Sequence, residues 1–362
     1  MIKIFDLTKQ FELLKKDINR DVKKLLASGN YILGENVKLF EKDVREYLGA
    51  KYVVSCNSGT DALIMSLRAL DVGVGDEVIT TPFTYFATTE AIALVGARPI
   101  FADINPHSFN INPKKIRKLI TKKTKAILSV NLFGQTCELD KINKITMENN
   151  LYHVEDCAQS FGATLMNKQS GTFGDMGCFS FFPTKNLGCF GDGGLVTVKN
   201  KKKYEFLLKL RTHGGIKRDQ HDLFGYNSRL DEIQAVILNI KLKLIDKLLK
   251  QRIKIASSYY KLINNSKIRL PFRDTASQHT FNQFTIRVKN RSKFINHLKR
   301  NKIPYGVYYP KPIYKYKALR DYTYKDLPMA EKVSKECISL PIYPELNHNE
   351  VKTICNVLNN YD

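Results

Sequence analysis

Short apolar runs recur along the first half of the chain, at residues 53–54, 78–79, 99–102, 126–130, 152–154, 178–181 and 195–198, with stretches of helical spacing between them. Strands of that length alternating with helices predict an α/β layer: a mostly parallel sheet with helices on both faces. Ahead of it, residues 7–30 read as an amphipathic helix that leads into the turn Tyr31-Ile32-Leu33-Gly34. After it, Leu230, Ile233, Ile237, Ile240, Leu244 and Leu248 recur at three- and four-residue steps, which predicts one long amphipathic helix joining two domains. Beyond residue 266 the pattern gives a strand over 280–288, a helix over 292–301, a Pro/Tyr loop over 308–314 and a final helix from about Glu350. The expected division is a large domain over residues 1–245 and a smaller C-terminal α+β domain over residues 246–362. Neither an internal repeat nor a Gly/Ser linker interrupts it.

Composition agrees with a globular chain. At 362 residues and 43% hydrophobic content there is ample material for a buried core. The seven cysteines, at 56, 137, 157, 178, 189, 337 and 355, form no C-x-x-C pair and no zinc spacing. Reduced packing cysteines are expected, which fits the cytoplasm, and no metal site is expected. The first residues lack the apolar core of a signal peptide, and no run approaches the roughly 18 apolar residues of a membrane span.

The chemistry concentrates in a few segments. Residues 180–194 place Lys185 between an aromatic run with Pro183 and a glycine-dense turn, ahead of an apolar strand. A lysine so placed lies near buried surface, where desolvation favours the neutral amine, and a neutral amine forms a Schiff base with an aldehyde. The glycine cluster at 188, 191, 193 and 194 precedes a strand instead of opening a helix, so it is not a dinucleotide-binding fingerprint. Asp156 falls at the carboxyl end of the 152–154 strand, where open α/β sheets put their ligands. The order strand, Ser58-Gly59-Thr60-Asp61, apolar helix offers free backbone amides and a helix N-terminus to a phosphate. Tyr85, just after another strand, has a ring able to cover a flat cofactor. Each feature has an ordinary alternative: surface-loop lysine, helix cap, ion-pair partner, core aromatic. Together they describe a pyridoxal 5'-phosphate (PLP) site.

These motifs carry a resemblance. From Phe5-Asp6-Leu7 to the Ser339–Pro344 region, with Glu155-Asp156-Cys157-Ala158-Gln159-Ser160 and residues 180–194 as its most specific parts, the chain resembles the DegT/DnrJ/EryC1/StrS nucleotide-sugar aminotransferases. That resemblance implies the aspartate aminotransferase fold, PLP fold type I. It implies Lys185 as the lysine joined to PLP and Asp156 as partner of the pyridine nitrogen. Gln159 would bond the phenolic oxygen and Tyr85 would stack on the ring, while Gly59, Thr60, Asp61 and Ser180 would hold the phosphate. Asn227, in residues 225–231, matches a family asparagine that reaches the phosphate in the neighbouring subunit, implying a homodimer with shared sites.

The sequence of residues 225–235, the Tyr31 turn and the Tyr309 loop are similar to members that aminate C3 of a nucleotide-linked keto sugar. Candidate substrate contacts are Tyr31, His213, Arg229 and Tyr309, with cap or interface packing the alternative for His213, His221 and Arg229. Asp219-Gln220 and Tyr314 depart from the family pattern. The expected reaction moves an amino group from L-glutamate to a 3-keto-6-deoxyhexose on a nucleoside diphosphate, dTDP by resemblance, giving a 3-amino-3,6-dideoxy sugar with PMP as the aminated cofactor form. Amination at C4 is the alternative, and a non-catalytic regulator of the same fold, binding nucleic acid, is the reading from another class. The net charge of +23 is compatible with nucleic acid. The lysines are nevertheless spread along the chain among Asn and Ile, as in solvated faces, so no nucleic-acid partner is expected, and the charge would serve to steer an anionic substrate.

Overall fold

The computed structural model describes residues 2–217, 219–320, 322, 324 and 327–362. Seven strands form the central sheet: β1 (Tyr52–Cys56), β2 (Glu77–Thr80), β3 (Arg98–Phe101), β4 (Thr124–Val130), β5 (Tyr152–Asp156), β6 (Met176–Ser180) and β7 (Gly194–Val198). Their order is β1-β7-β6-β5-β4-β2-β3, and β3, β2, β4, β5 and β6 pair in parallel. Only β7 is reversed, pairing antiparallel with both β1 and β6. That reversal matters for the site. It sets Gly194, the first residue of β7, beside Cys56 and Ser180, the last residues of β1 and β6. The turn carrying Lys185 is therefore held at the same carboxyl edge as Asp156.

The period-2 alternation of strand side chains builds two layers. Val54, Met176, Cys178 and Val196 face a core shared with helix α3 (Gly59–Ala69). Val53, Phe179 and Leu195 face the opposite core, with Val37, Phe40 and Val44 of α2 (Glu35–Leu48). The expected N-terminal helix is present as α1 (Leu7–Ser28); Asp6 accepts from Thr8 N at its start and Gly29 leaves it at φ 71. Leu14 and Ile18 of α1 pack on Ile237.

The single long helix expected from Leu230 to Leu248 is instead two. One runs Glu232–Leu242 and the next Ile245–Leu262, with Leu244 at φ −109, ψ 0 between them. Leu230 is buried ahead of the first helix, and Ile245 and Leu249 lie in the same core as Leu238. From Ile255 onward the second helix turns its apolar face to another core, with Tyr259, Phe284, Ile286, Phe294, Ile354 and Leu358. The apolar spacing is continuous through the break, so periodicity alone does not reveal it.

The C-terminal sheet orders Ile268–Arg269, Phe284–Val288 and Cys337–Leu340, all antiparallel, flanked by helices Arg291–Arg300 and His348–Asn359. The strand expected over 280–288 begins only at Phe284. Residues 280 and 283 spend their amides elsewhere, Thr280 N on Gly134 O (2.9 Å) and Gln283 N on Phe133 O (3.3 Å). A further helix, Pro328–Glu336, is capped from outside the C-terminal region: Met329 N and Ala330 N both donate to the Asp103 carboxylate at 3.0 Å. Among the described residues no helix is long and apolar enough to cross a membrane.

Candidate active site

Helix α3 starts where β1 ends. Ser58 is its N-cap, accepting from Asp61 N at 3.1 Å, so that amide is already used. The amides of Gly59 and Thr60 lie in the first turn, where no intrahelical acceptor exists, and the helix dipole adds to their pull on an anion. Gly59 is required by packing: a Cβ there would lie 2.6 Å from Ser180 Cβ. Backbone and the Ser180 hydroxyl thus meet closely enough to form a cradle for a small anion, a fit for the phosphate of PLP. Asp61 adds a cap-complementing carboxylate whose charge opposes a phosphate.

Asp156 is the last residue of β5 and is buried. Its Oδ1 accepts from Ala158 N (3.1 Å) and its Oδ2 from Thr88 Oγ1 (2.8 Å). Burial raises its pKa, with those two donors and the Lys185 charge opposing. The preceding Glu155 receives the amides of Gly171, Phe173 and Gly174, each at 2.8 Å, which braces the end of β5. Thr88 carries only a weak signal in the local sequence. It sits one helical turn after Tyr85 in helix Phe86–Leu94, and that spacing was its available signal.

Lys185 N donates to Phe182 O at 2.9 Å, closing the turn after β6. Burial lowers its ammonium pKa to about 8, against the opposing pull of Asp156. At pH 7 about a tenth of such a lysine is neutral, against about one in three thousand at the ordinary value. Gln159 is buried and held at both ends: its Oε1 accepts from Phe133 N (2.8 Å) and its Nε2 donates to Tyr309 Oη (3.1 Å). Burial pushes the Tyr309 phenol well above its usual pKa, so it stays neutral. Tyr85 is 62% exposed, its ring centroid 6.4 Å from that of Tyr309. The Tyr85 ring thus presents an open face to solvent next to Tyr309.

The remaining candidates lie farther out. Asn227 is exposed, while its neighbours are pinned: Tyr226 N to Leu210 O (2.7 Å) and Ser228 N to Arg211 O (3.1 Å). The cap of helix Glu232–Leu242 is Asp231, so Asn227 is not a helix cap. Tyr31 is half exposed, with its hydroxyl on Leu26 O (3.0 Å) and its carbonyl on Glu232 N (3.2 Å). His213 is exposed at φ 58, and His221 Nδ1 lies 2.9 Å from its carbonyl. Arg229 is partly buried beside Ser228, whose hydroxyl donates to Asn57 Oδ1 (3.2 Å). Lys185, Asp156, Gln159, Tyr309, Gly59 and Ser180 belong to one edge; Tyr31, His213 and Asn227 present themselves to solvent. All seven cysteines are buried.

Residues 12–359 match the DegT/DnrJ/EryC1/StrS aminotransferase family. A dTDP-3-amino-3,6-dideoxy-alpha-D-galactopyranose transaminase of Aneurinibacillus thermoaerophilus is 40% identical, covering 100% of this chain and 99% of its own length. A UDP-2-acetamido-2-deoxy-3-oxo-D-glucuronate aminotransferase of Pseudomonas aeruginosa is 39% identical over 99% of this chain and 100% of its own. A Geobacillus stearothermophilus protein called a pleiotropic regulatory protein is 40% identical over 96% of this chain and 95% of its own. The solved structure of S. venezuelae DesV with a ketimine intermediate superposes at TM-score 0.97, with 33% identity and coverage of 99% and 98%. This chain belongs to the DegT/DnrJ/EryC1/StrS aminotransferase family, PLP-dependent enzymes of fold type I.

Proposed function

We propose that this aminotransferase moves an amino group from L-glutamate to C3 of a 3-keto-6-deoxyhexose on dTDP, leaving 2-oxoglutarate and a 3-amino-3,6-dideoxy sugar nucleotide. The observation that carries the reading is Lys185, whose ammonium pKa burial lowers while the charge of the buried Asp156 carboxylate opposes that shift. In the proposed arrangement Gly59, Thr60 and Ser180 bind the phosphate. Asp156 holds a proton at the ring nitrogen, Gln159 orients the phenolic oxygen and Tyr85 covers one ring face. When bound, PLP supplies the electron-withdrawing ring that stabilises negative charge at the substrate carbon. Lys185 takes the proton from the amino-bearing carbon and returns it on the other side of the transfer, as a tethered amine near neutral pKa is suited to do.

The whole-length similarity to the Aneurinibacillus transaminase supports C3 and dTDP, while the Pseudomonas relative carries a UDP sugar in its name. Amination at C4 is the alternative. The regulator reading has the Geobacillus relative's name in its favour, but the combination of Lys185, Asp156 and Gln159 serves transfer chemistry that a regulator does not need. Asn227, solvent-facing on a pinned loop segment, supports a homodimer in which each chain completes its neighbour's phosphate site. Seven buried free thiols fit a reducing compartment, so the reading places the enzyme in the cytoplasm.

The test is a panel of 3-keto and 4-keto sugars on dTDP and UDP, incubated with PLP-loaded enzyme and L-glutamate, with products assigned by NMR. Amination at C3 of the dTDP 6-deoxy sugar is expected. Turnover confined to 4-keto substrates would transfer the reading to C4, and inertness toward the whole panel would refute it.

A further inference from the structure

The turn that carries Lys185 is held from outside its own strands. Asn186 Nδ2 donates to Thr280 Oγ1 (2.9 Å) and to Phe161 O (3.4 Å). Asn282 Nδ2 donates to Asn186 Oδ1 (3.3 Å) and to Thr184 O (3.4 Å). Residues 184 and 186, on either side of the lysine, are thus bonded to a segment nearly a hundred residues away. The same segment reaches the other end of the site. Thr280 N and Oγ1 both donate to Gly134 O, at 2.9 and 3.2 Å, and Phe133 N donates to Gln159 Oε1 (2.8 Å).

One hydrogen-bonded path therefore joins the lysine turn to the Gln159 amide. Thr280 (0% exposed), Asn282 (3%) and Asn186 (6%) are buried, so water does not compete for these bonds. The approach at Gly134, at φ 99, is close: a Cβ there would lie 2.6 Å from Thr280 Oγ1. A lysine Nζ is four carbons from its backbone, so the turn's placement decides where the amine sits and how dry its surroundings are.

We propose that Thr280 and Asn282 are positioning residues for the Lys185 amine, fixing its turn through Asn186 and Thr184 and keeping it in register with Gln159. This rests on the reading of Lys185 as the reacting amine. The test uses cofactor-free, full-length protein, so it does not depend on turnover. Lys185 is labelled with a trace amine reagent across pH and its labelling measured by mass spectrometry against exposed lysines in the same chain.

Wild type should titrate near its lowered pKa of about 8. In Thr280→Val and Asn282→Ala the loosened turn lets water reach the amine, so its pKa rises toward the ordinary value. A one-unit rise would cut Lys185 labelling at pH 8 roughly fivefold. Thr280→Ser, which keeps the hydroxyl, should restore the wild-type profile. If Asn282→Ala does not fold, Asn282→Leu roughly keeps the volume, removes the donating amide without adding charge, and should give the same shift. Unchanged titration in folded Thr280→Val and Asn282 variants, with only a lower melting temperature, would reduce the network to a brace and overturn the proposal. A normal titration shift in a protein that aminates no sugar would instead leave the proposal standing and sink the functional reading.

Discussion

Thr88→Val removes one hydroxyl and keeps the shape, and it acts on the carboxylate at the centre of the site. Thr88 has a single proton and gives it to Asp156 Oδ2 at 2.8 Å, so in its 3.0 Å contact with Thr84 the Thr84 hydroxyl must be the donor. A hydrogen bond to a charged group contributes about 1.5–3 kcal/mol, and one between neutral groups about 0.5–1.5 kcal/mol. Burial raises the folded-state pKa of Asp156, so the carboxylate's burial cost is absent at low pH and appears as pH rises through that value. Thr88 offsets part of that cost. Cofactor-free Thr88→Val loses both bonds and should therefore be less stable than wild type by about 2–4.5 kcal/mol at pH 7, with a smaller gap at pH 4 as Asp156 takes up its proton. Urea unfolding followed by circular dichroism at both pH values measures this, with Thr88→Ser as a control that keeps the donor. A gap equally large at pH 4 and pH 7 would refute the reasoning, since the loss would then be packing and not charge. In PLP-loaded enzyme the same change should move the acid limb of the kcat profile to higher pH.

Two further outcomes follow from the site. Gly59→Ala places a methyl 2.6 Å from Ser180 Cβ, and relief of about 1–3 kcal/mol of overpacking should push α3 from the edge of the sheet and weaken PLP binding roughly 10- to 100-fold in a fluorescence titration. Unchanged affinity in this variant would contradict the cradle. If Asn227 completes the partner's site, inactive Lys185→Ala chains mixed equally with inactive Asn227→Asp chains should regain about a quarter of wild-type activity, because half the dimers are mixed and each keeps one intact site. No recovery in a sample shown to contain mixed dimers would count against shared sites.

The chain's local patterns carried much of this. Short apolar runs alternating with helical spacing specify the sheet's strands, and the strand–Gly59–helix order, the Lys185 turn and Asp156 at a strand end are each visible within ten residues of sequence. What local pattern does not contain is which distant segments meet. Continuous apolar spacing from Leu230 to Leu248 concealed the break at Lys243 and Leu244, because the helices on either side serve cores that only the packed chain defines. The strand expected from residue 280 begins at Phe284, because the amides of Thr280 and Gln283 are claimed by Gly134 and Phe133. Thr88 on Asp156, Tyr309 on Gln159, and Asn282 on Asn186 span 68, 150 and 96 residues of sequence. Hydrophobic periodicity reports which side of an element is buried. A hydrogen bond also needs a partner's position and direction, and these were decided by the strand order, the reversed β7 and the docking of the C-terminal segment against the lysine turn.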